Sequence, residues 1–155
     1  MSFQGHVASI HISKRKADSL ESLDRVRAIP GSGLEGDRYS TGTGSFSDPQ
    51  KPDREITLIE MEAIEALPVE YGVEITPGEA RRNIVTRGVP LNHLVGRTFQ
   101  IGEITIEGIR LCEPCGHLAR LTDPKVEKGL VHRGGLRARI VTEGFIRVGD
   151  QITPA

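Results

Sequence analysis

At 155 residues the chain has the length of one domain, and a chain of this size buries roughly two thirds of its unfolded surface, so folding needs neither a disulfide nor a structural metal. A net charge of −1 excludes nucleic-acid binding by bulk charge. With 18 Gly, 9 Pro, no Trp and many short Ile/Val segments, the composition points to a turn-rich β domain and away from a helix bundle. Arg outnumbers Lys 15 to 5, which suits a phosphate or carboxylate ligand but equally reflects plain compositional bias. The start of the chain, residues 1–6, lacks a basic stretch followed by an apolar core. No apolar run reaches membrane-spanning length. The expectation is a cytoplasmic protein with reduced thiols and no membrane or nucleic-acid partner.

In chain order, residues 3–12 read as a first strand with Val7, Ala8 and Ile10 as apolar positions, and residues 24–29 as a second. The run 30–39, Pro-Gly-Ser-Gly-Leu-Glu-Gly-Asp-Arg-Tyr, has glycines that permit close backbone approach. Residues 40–53 are polar and rich in Gly, Ser and Pro, the composition of a mobile loop, here expected to lid a site. Residues 55–60 form a strand. Met61, Ile64 and Leu67 then recur at helical spacing, predicting a short helix over 60–67 ended by Pro68. Residues 81–88 are a strand with polar ends, and 90–95 one helical turn stopped by Gly96. A hairpin follows: 98–101, a turn at Gly102-Glu103, then 104–111. Residues 136–142 and 145–152 form another pair of strands around Gly144. Strands spread along the chain with short helices predict a closed or partly closed antiparallel β-barrel, since closure removes exposed edges. A plain sandwich is the alternative.

Cys112-Glu113-Pro114-Cys115 is the sharpest chemical feature. It can be a thioredoxin-like dithiol, although that fold needs a βαβ context near the N-terminus. It can be half of a zinc site completed by His117 and His132, although no second pair of cysteines exists. It can supply a soft thiolate as metal ligand or nucleophile, or simply two buried inert thiols. The second feature is an Arg-rich pair of segments: Arg81, Arg82 and Arg87 around one strand, and Arg133, Arg137 and Arg139 in His132-Arg133-Gly134-Gly135-Leu136-Arg137-Ala138-Arg139. Arg137 and Arg139 share a strand face, and the Gly-Gly pair lets backbone N–H groups approach an anion. The competing reading is a solvated charged face paired with Glu79, Glu103 and Glu107. No P-loop, GxGxxG, HExxH or GxSxG motif occurs, and the five His show no metal-ligand spacing.

Taken in order, the segments Gly33-Leu34-Glu35-Gly36-Asp37-Arg38, Arg82-Asn83-Ile84-Val85-Thr86-Arg87-Gly88, Leu94-Val95-Gly96, Ile101-Gly102 and Cys112-Glu113-Pro114-Cys115 resemble the MOSC family, the C-terminal domain of molybdenum cofactor sulfurases. Gly135-Leu136-Arg137-Ala138-Arg139-Ile140-Val141, Gly144-Phe145-Ile146 and Val148-Gly149-Asp150 extend the resemblance to essentially the whole chain. It implies a single MOSC-like domain over 1–155, a barrel akin to that of pyruvate kinase, and binding of the molybdenum cofactor (molybdopterin). It also implies a cysteine of the Cys-x-x-Cys segment as sulfur carrier or molybdenum ligand. Stand-alone bacterial members resemble reductases of N-hydroxylated small molecules. No flavin or iron–sulfur motif occurs here, so such a reductase would take electrons from a separate flavin or iron–sulfur protein. A non-catalytic sulfur or cofactor carrier is the alternative, and no pyridoxal phosphate site is expected. Tyr39 stands where the family often has His.

Residues carried over as cofactor-binding candidates are Asp37, Arg38, Arg82, Asn83, Thr86, Arg87, Arg133 and Arg137, with Arg82, Arg87, Arg133 and Arg137 expected to face one cleft beside Asn83. Cys115 is the candidate metal ligand and, with Cys112, a candidate catalytic residue. The apolar phase of residues 104–111 slips at Gly108, which predicts a bulge there. Ile109 and Leu111 would then face the core while Cys112 points away beside Arg110, loosely held. Cys115 follows Pro114 and precedes a possible helical turn from Gly116, where a thiol's pKa falls.

Overall fold

The computed structural model describes residues 1–14, 20–37, 54–114 and 122–155. Its strands are β1 (Gly5–Ile12), β2 (Glu21–Leu23), β3 (Arg25–Ile29), β4 (Gly33–Leu34), β5 (Ile56–Glu60), β6 (Ile84–Arg87), β7 (Thr98–Ile101), β8 (Ile104–Leu111), β9 (Leu136–Ile140), β10 (Gly144–Arg147) and β11 (Gln151–Pro154). The α-helices are α1 (Met61–Tyr71) and α2 (Pro124–Gly129). Short 3-10 turns occupy Gly78–Ala80 and Leu91–Leu94.

Seven strands run in the order β11-β7-β8-β9-β5-β6-β1, and pairing of Gly5 with Ile152 closes the ring into a barrel. Strand β2 hangs on β1, and β10, β3 and β4 form a separate three-stranded sheet. The barrel is mostly antiparallel, with β5 and β6 parallel. The exception has a topological cause: two parallel neighbours need a crossover connection, and α1 lies in it. Inside, Ile10, Leu58, Ile84, Phe99, Ile106, Leu136 and Ile152 are all fully buried. The outer faces of β5 and β6 are covered as well. Ile59 and Val85 pack under Ala63, Ile64 and Leu67 of α1 and Val126 and Leu130 from the α2 region. Burial on both faces explains why 56–59 reads as a near-continuous apolar run.

Two expectations need correction, and one helix goes beyond them. Helix α1 does not end at Pro68 but carries it internally and stops at Gly72, whose φ of 69° places it in the left-handed region. A helix-interior proline costs about 3 kcal/mol, and here burial of Leu67 against Val126 and Leu130 offsets it. The C-terminal pair of strands is three strands serving two sheets: β9 pairs with β5 and β8, β10 with β3, and β11 with β7 and β1. Helix α2 was not anticipated, although its start is written in the sequence: Asp123 caps it by accepting from the Lys125 N–H at 2.8 Å, ahead of Pro124 at its first position. The hairpin of β7 and β8 forms in the expected register, and β8 is bulged between Gly108 and Arg110 as its apolar phase requires.

Candidate functional site

The polar candidates gather where β6, β5 and β9 run side by side. Register sets Thr57 opposite Arg137, and Arg137 in turn opposite Arg110 of β8. Asn83, just before β6, is clipped to Thr57. Its Oδ1 accepts from the Thr57 N–H at 3.0 Å and from Oγ1 at 3.1 Å, and its own N–H donates to Thr57 Oγ1 at 3.0 Å. The Asn83 Nδ2 donates to the His11 carbonyl at 3.1 Å. A row of polar residues thus runs from β8 across β9 and β5, past the start of β6, to β1: Arg110, Arg137, Thr57, Asn83 and His11. Thr57, Asn83 and His11 are buried, and burial lowers the His11 pKa, favouring a neutral ring that meets Ser9 Oγ at 2.8 Å. Beside this row Asp37 is fully buried and accepts from the Ser13 N–H at 2.9 Å.

The Cys-Glu-Pro segment is held at the end of β8 by the Gly-Gly pair. The Cys112 N–H donates to the Gly135 carbonyl at 2.8 Å. A Cβ on Gly134 would sit 2.3 Å from the Cys112 carbonyl oxygen, and one on Gly135 would sit 2.0 Å from that of Leu58. No other residue permits this three-layer backbone contact. Arg82 fastens it from outside: Nε donates to Gly134 O at 2.9 Å, Nη2 to Cys112 O at 3.3 Å and Nη1 to Ala80 O at 3.4 Å. Glu113 adds a second clasp, accepting from the His132 N–H at 2.8 Å and meeting His132 Nδ1 at 2.7 Å. His132 itself adopts a left-handed φ of 60°.

The structure therefore brings Arg82, Asn83, Arg137, Asp37 and Cys112 into one region. It does so by engaging several of them internally, so Arg82 and Asn83 brace the backbone that carries the site. Three other candidates are engaged with other partners. Thr86 is fully buried and its Oγ1 meets the Ile59 carbonyl at 3.4 Å. Arg87, at the far end of β6 from Arg82, makes a two-pronged contact with Glu65 of α1 at 2.9 and 3.1 Å, which holds the Glu65 carboxyl below its ordinary range. Arg133 reaches Glu70 of α1 at 2.9 Å. Arg137 and Arg139 do share a face of β9, and Arg139 pairs with Glu107 as the solvated-face reading anticipates.

Cys112 is not the loosely held, outward residue expected from the pattern. It is 2 % exposed and pinned through both its N–H and its carbonyl, whereas Ile109 and Leu111 are only half-buried. The bulge was foreseen, but not that the His132–Gly135 loop would cover the strand beyond it. Arg38, Cys115, His117 and the segment 40–53 lie outside the described residues.

Beside the Gly-Gly pair opens a small cleft of about 30 Å³, lined by Glu60, Ala63, Asn92, His132, Arg133 and Gly135. Burial raises the Glu60 carboxyl pKa, and the Leu91 N–H, donating at 3.2 Å, only partly offsets this. Sequence reasoning passed over Glu60 and Asn92, because nothing local distinguishes a strand-end Glu or a turn Asn from surface residues. Among the described residues no group of three or more His, Cys, Asp or Glu is placed to hold a metal, and no helix is long and apolar enough to cross a membrane.

The family model described as MOSC domain matches residues 36–153. Among solved structures, the YuaD protein from Bacillus subtilis is similar with a TM-score of 0.81 at 16 % identity, over 99 % of this chain and 96 % of that one. YiiM from Geobacillus stearothermophilus follows at a TM-score of 0.75 and 17 % identity, over 97 % of this chain and 75 % of that one. YiiM from Escherichia coli gives 0.67 at 16 % identity, over 100 % and 70 %. At such identities the likeness is one of fold. No curated protein matches the chain.

Proposed function

The chain belongs to the MOSC domain family, which is associated with molybdenum cofactor binding, and we propose that it holds that cofactor beside the Cys112–Cys115 segment and reduces N-hydroxylated small molecules. The observation that carries this is the convergence of the Cys-Glu-Pro segment, the Gly134-Gly135 backbone and the Arg110–Arg137–Thr57 row on one region of the barrel.

The donor set fits the group. Guanidinium forks suit its terminal phosphate, amide and carboxylate acceptors suit the pterin, and a thiolate suits molybdenum. Arg110 and Arg137 would supply the cationic wall. Arg82, whose guanidinium is already spent on three carbonyls, would position Cys112 and Gly134 and leave the cofactor itself to others. Cys115 is the proposed metal ligand and Cys112 its buried neighbour, fixing the segment's path. When bound, the group supplies two-electron oxygen-atom chemistry, which a protein can orient and tune but does not itself perform. The overall reaction converts R–NHOH, two electrons and two protons to R–NH2 and water. The electrons come from a separate flavin or iron–sulfur protein. A protein that only carries the cofactor would show the same metal content without this turnover.

Expression in a host with abundant cofactor, followed by metal and pterin analysis, tests binding. About one molybdenum per chain is expected, and none under replete conditions refutes it. Reduction of an N-hydroxyamidine with a reduced flavoprotein donor tests turnover. Cys115→Ser should abolish both molybdenum retention and turnover, while Cys112→Ser keeps most of each. The reverse pattern overturns the choice of ligand.

A further inference from the structure

Away from the cysteine segment, the three-stranded sheet carries a charge arrangement that its own side chains do not balance. On β3 and β10, Val26, Ala28 and Ile146 are buried, while Arg25, Arg27, Phe145 and Arg147 stand on the exposed face. Register sets Arg147 directly opposite Arg25, and Phe145 opposite Arg27. The Arg27 carbonyl turns towards β4, accepting from the Glu35 N–H at 2.9 Å, and the Asp24 carbonyl turns towards β10, accepting from the Val148 N–H at 2.9 Å. Backbone groups alternate in direction along a strand, so Arg25 and Arg147 form a non-hydrogen-bonded pair, the kind whose side chains stand closest. Like charges in that position repel. Arg27 is neutralised by Glu143. Among the described residues neither Arg25 nor Arg147 has a carboxylate partner, and Asp150 turns its Oδ2 to the Arg147 N–H at 2.8 Å. Phe145 holds the two side chains instead: the guanidinium carbons of Arg25 and Arg147 lie 5.0 and 5.6 Å from its ring centroid. A guanidinium resting on a ring has given up rotamer freedom in advance and keeps its N–H edges for another partner.

We propose that Arg25 and Arg147, set on Phe145, form a binding site for a phosphate monoester group. A dianion matches the doubled charge, and its oxygens can accept from both guanidinium forks, whereas a monocarboxylate satisfies only one. The site is separate from the cysteine segment. A Cβ on Gly144, next to Phe145, would lie 2.6 Å from Ile104 Cδ1 at the start of β8, while Cys112 follows the end of that eight-residue strand. The two places are roughly 23 Å apart along the strand. The inference therefore goes beyond the reductase reading and does not depend on it. Val148, 46 % exposed, borders the pair, so the phosphoryl group can belong to a soluble monoester or to a lipid headgroup.

Two probes distinguish these sources. The whole chain is titrated with glycerol 3-phosphate, and with acetate for comparison, following the backbone amides of Arg25, Phe145, Arg147 and Val148 by NMR. Its sedimentation with phosphatidylcholine vesicles is measured with and without phosphatidic acid. Saturable shifts without pelleting assign the site to a soluble monoester. Pelleting that requires phosphatidic acid assigns it to a headgroup. Either result supports the proposal if acetate binds at least tenfold more weakly and if R25Q and R147Q each weaken phosphate binding at least tenfold. Both variants should leave the melting temperature of the free protein unchanged or raise it, because each removes one of two opposed like charges. No saturable shift at tens of millimolar together with no pelleting overturns the proposal. So does acetate binding equally well, or binding that R25Q and R147Q leave unchanged.

Discussion

Replacing Asn83 by Ala separates a structural role from a cofactor-binding one. The side chain is 3 % exposed and joins three strands through Thr57 and the His11 carbonyl. Its loss leaves the Thr57 N–H and the His11 C=O buried without a side-chain partner, and each such orphan costs about 1–3 kcal/mol. The expected destabilisation is about 3–4 kcal/mol, a large share of the roughly 5–15 kcal/mol that holds a domain folded. With a urea m-value near 2 kcal/mol per molar, the unfolding midpoint of the apoprotein drops by about 1.5–2 M. Asn83→Asp keeps the acceptor for Thr57 but sets an oxygen against the His11 carbonyl. At neutral pH it should be at least as damaging, with partial recovery in mild acid, where a protonated carboxyl can donate to that carbonyl. An Asn83→Ala apoprotein within 1 kcal/mol of the parent, but unable to retain molybdenum, would refute the bracing role and return Asn83 to the ligand shell.

Arg82→Ala should loosen the cysteine segment, costing about 1.5–3 kcal/mol per lost charge-assisted bond to a buried carbonyl; amide exchange at Cys112 and Gly135 should speed up even without cofactor, and unchanged exchange would count against the strap. Gly134→Ala forces a Cβ to 2.3 Å from the Cys112 carbonyl, so it should lower both the melting temperature and cofactor retention. Glu55 is buried and its pKa is raised by desolvation, although its Oε1 accepts from the N–H groups of Gly31 and Ile140. The folded state then holds a proton that the unfolded state has released, so this group's contribution to stability falls as pH rises through that interval. Glu55→Gln keeps an oxygen for both donors and should flatten the decline of the melting temperature that sets in above about pH 4.5; an unaltered pH slope would refute the assignment. Pro68→Ala restores an N–H in the interior of α1 and should stabilise by about 1–2 kcal/mol, read from urea unfolding, because the helix already follows a continuous path there.

Much of this protein is written in local pattern. The hairpin of β7 and β8, the bulge at Gly108, the strand character of β5 and the barrel class follow from alternation, phase and turn residues, which act over a few positions. The family is legible for a related reason: the order and spacing of short motifs survive where each alone is uninformative. Only the tertiary structure decided which strands meet. Residues 136–154 carry three strands that serve two sheets, because closing a barrel needs β11 beside both β7 and β1 while β10 is drawn off to β3. Burial of Leu67 carries α1 across Pro68, a long-range term outweighing a local one. The division of the polar candidates was likewise out of reach. Arg82 and Arg87 look alike on the page, yet one reaches three backbone carbonyls and the other an acid on α1. Cys112 is buried because a loop more than twenty residues later folds over it, with Gly135 taking its N–H. A side chain's type and spacing state what it can bond to; which partner it meets depends on chain distant in sequence.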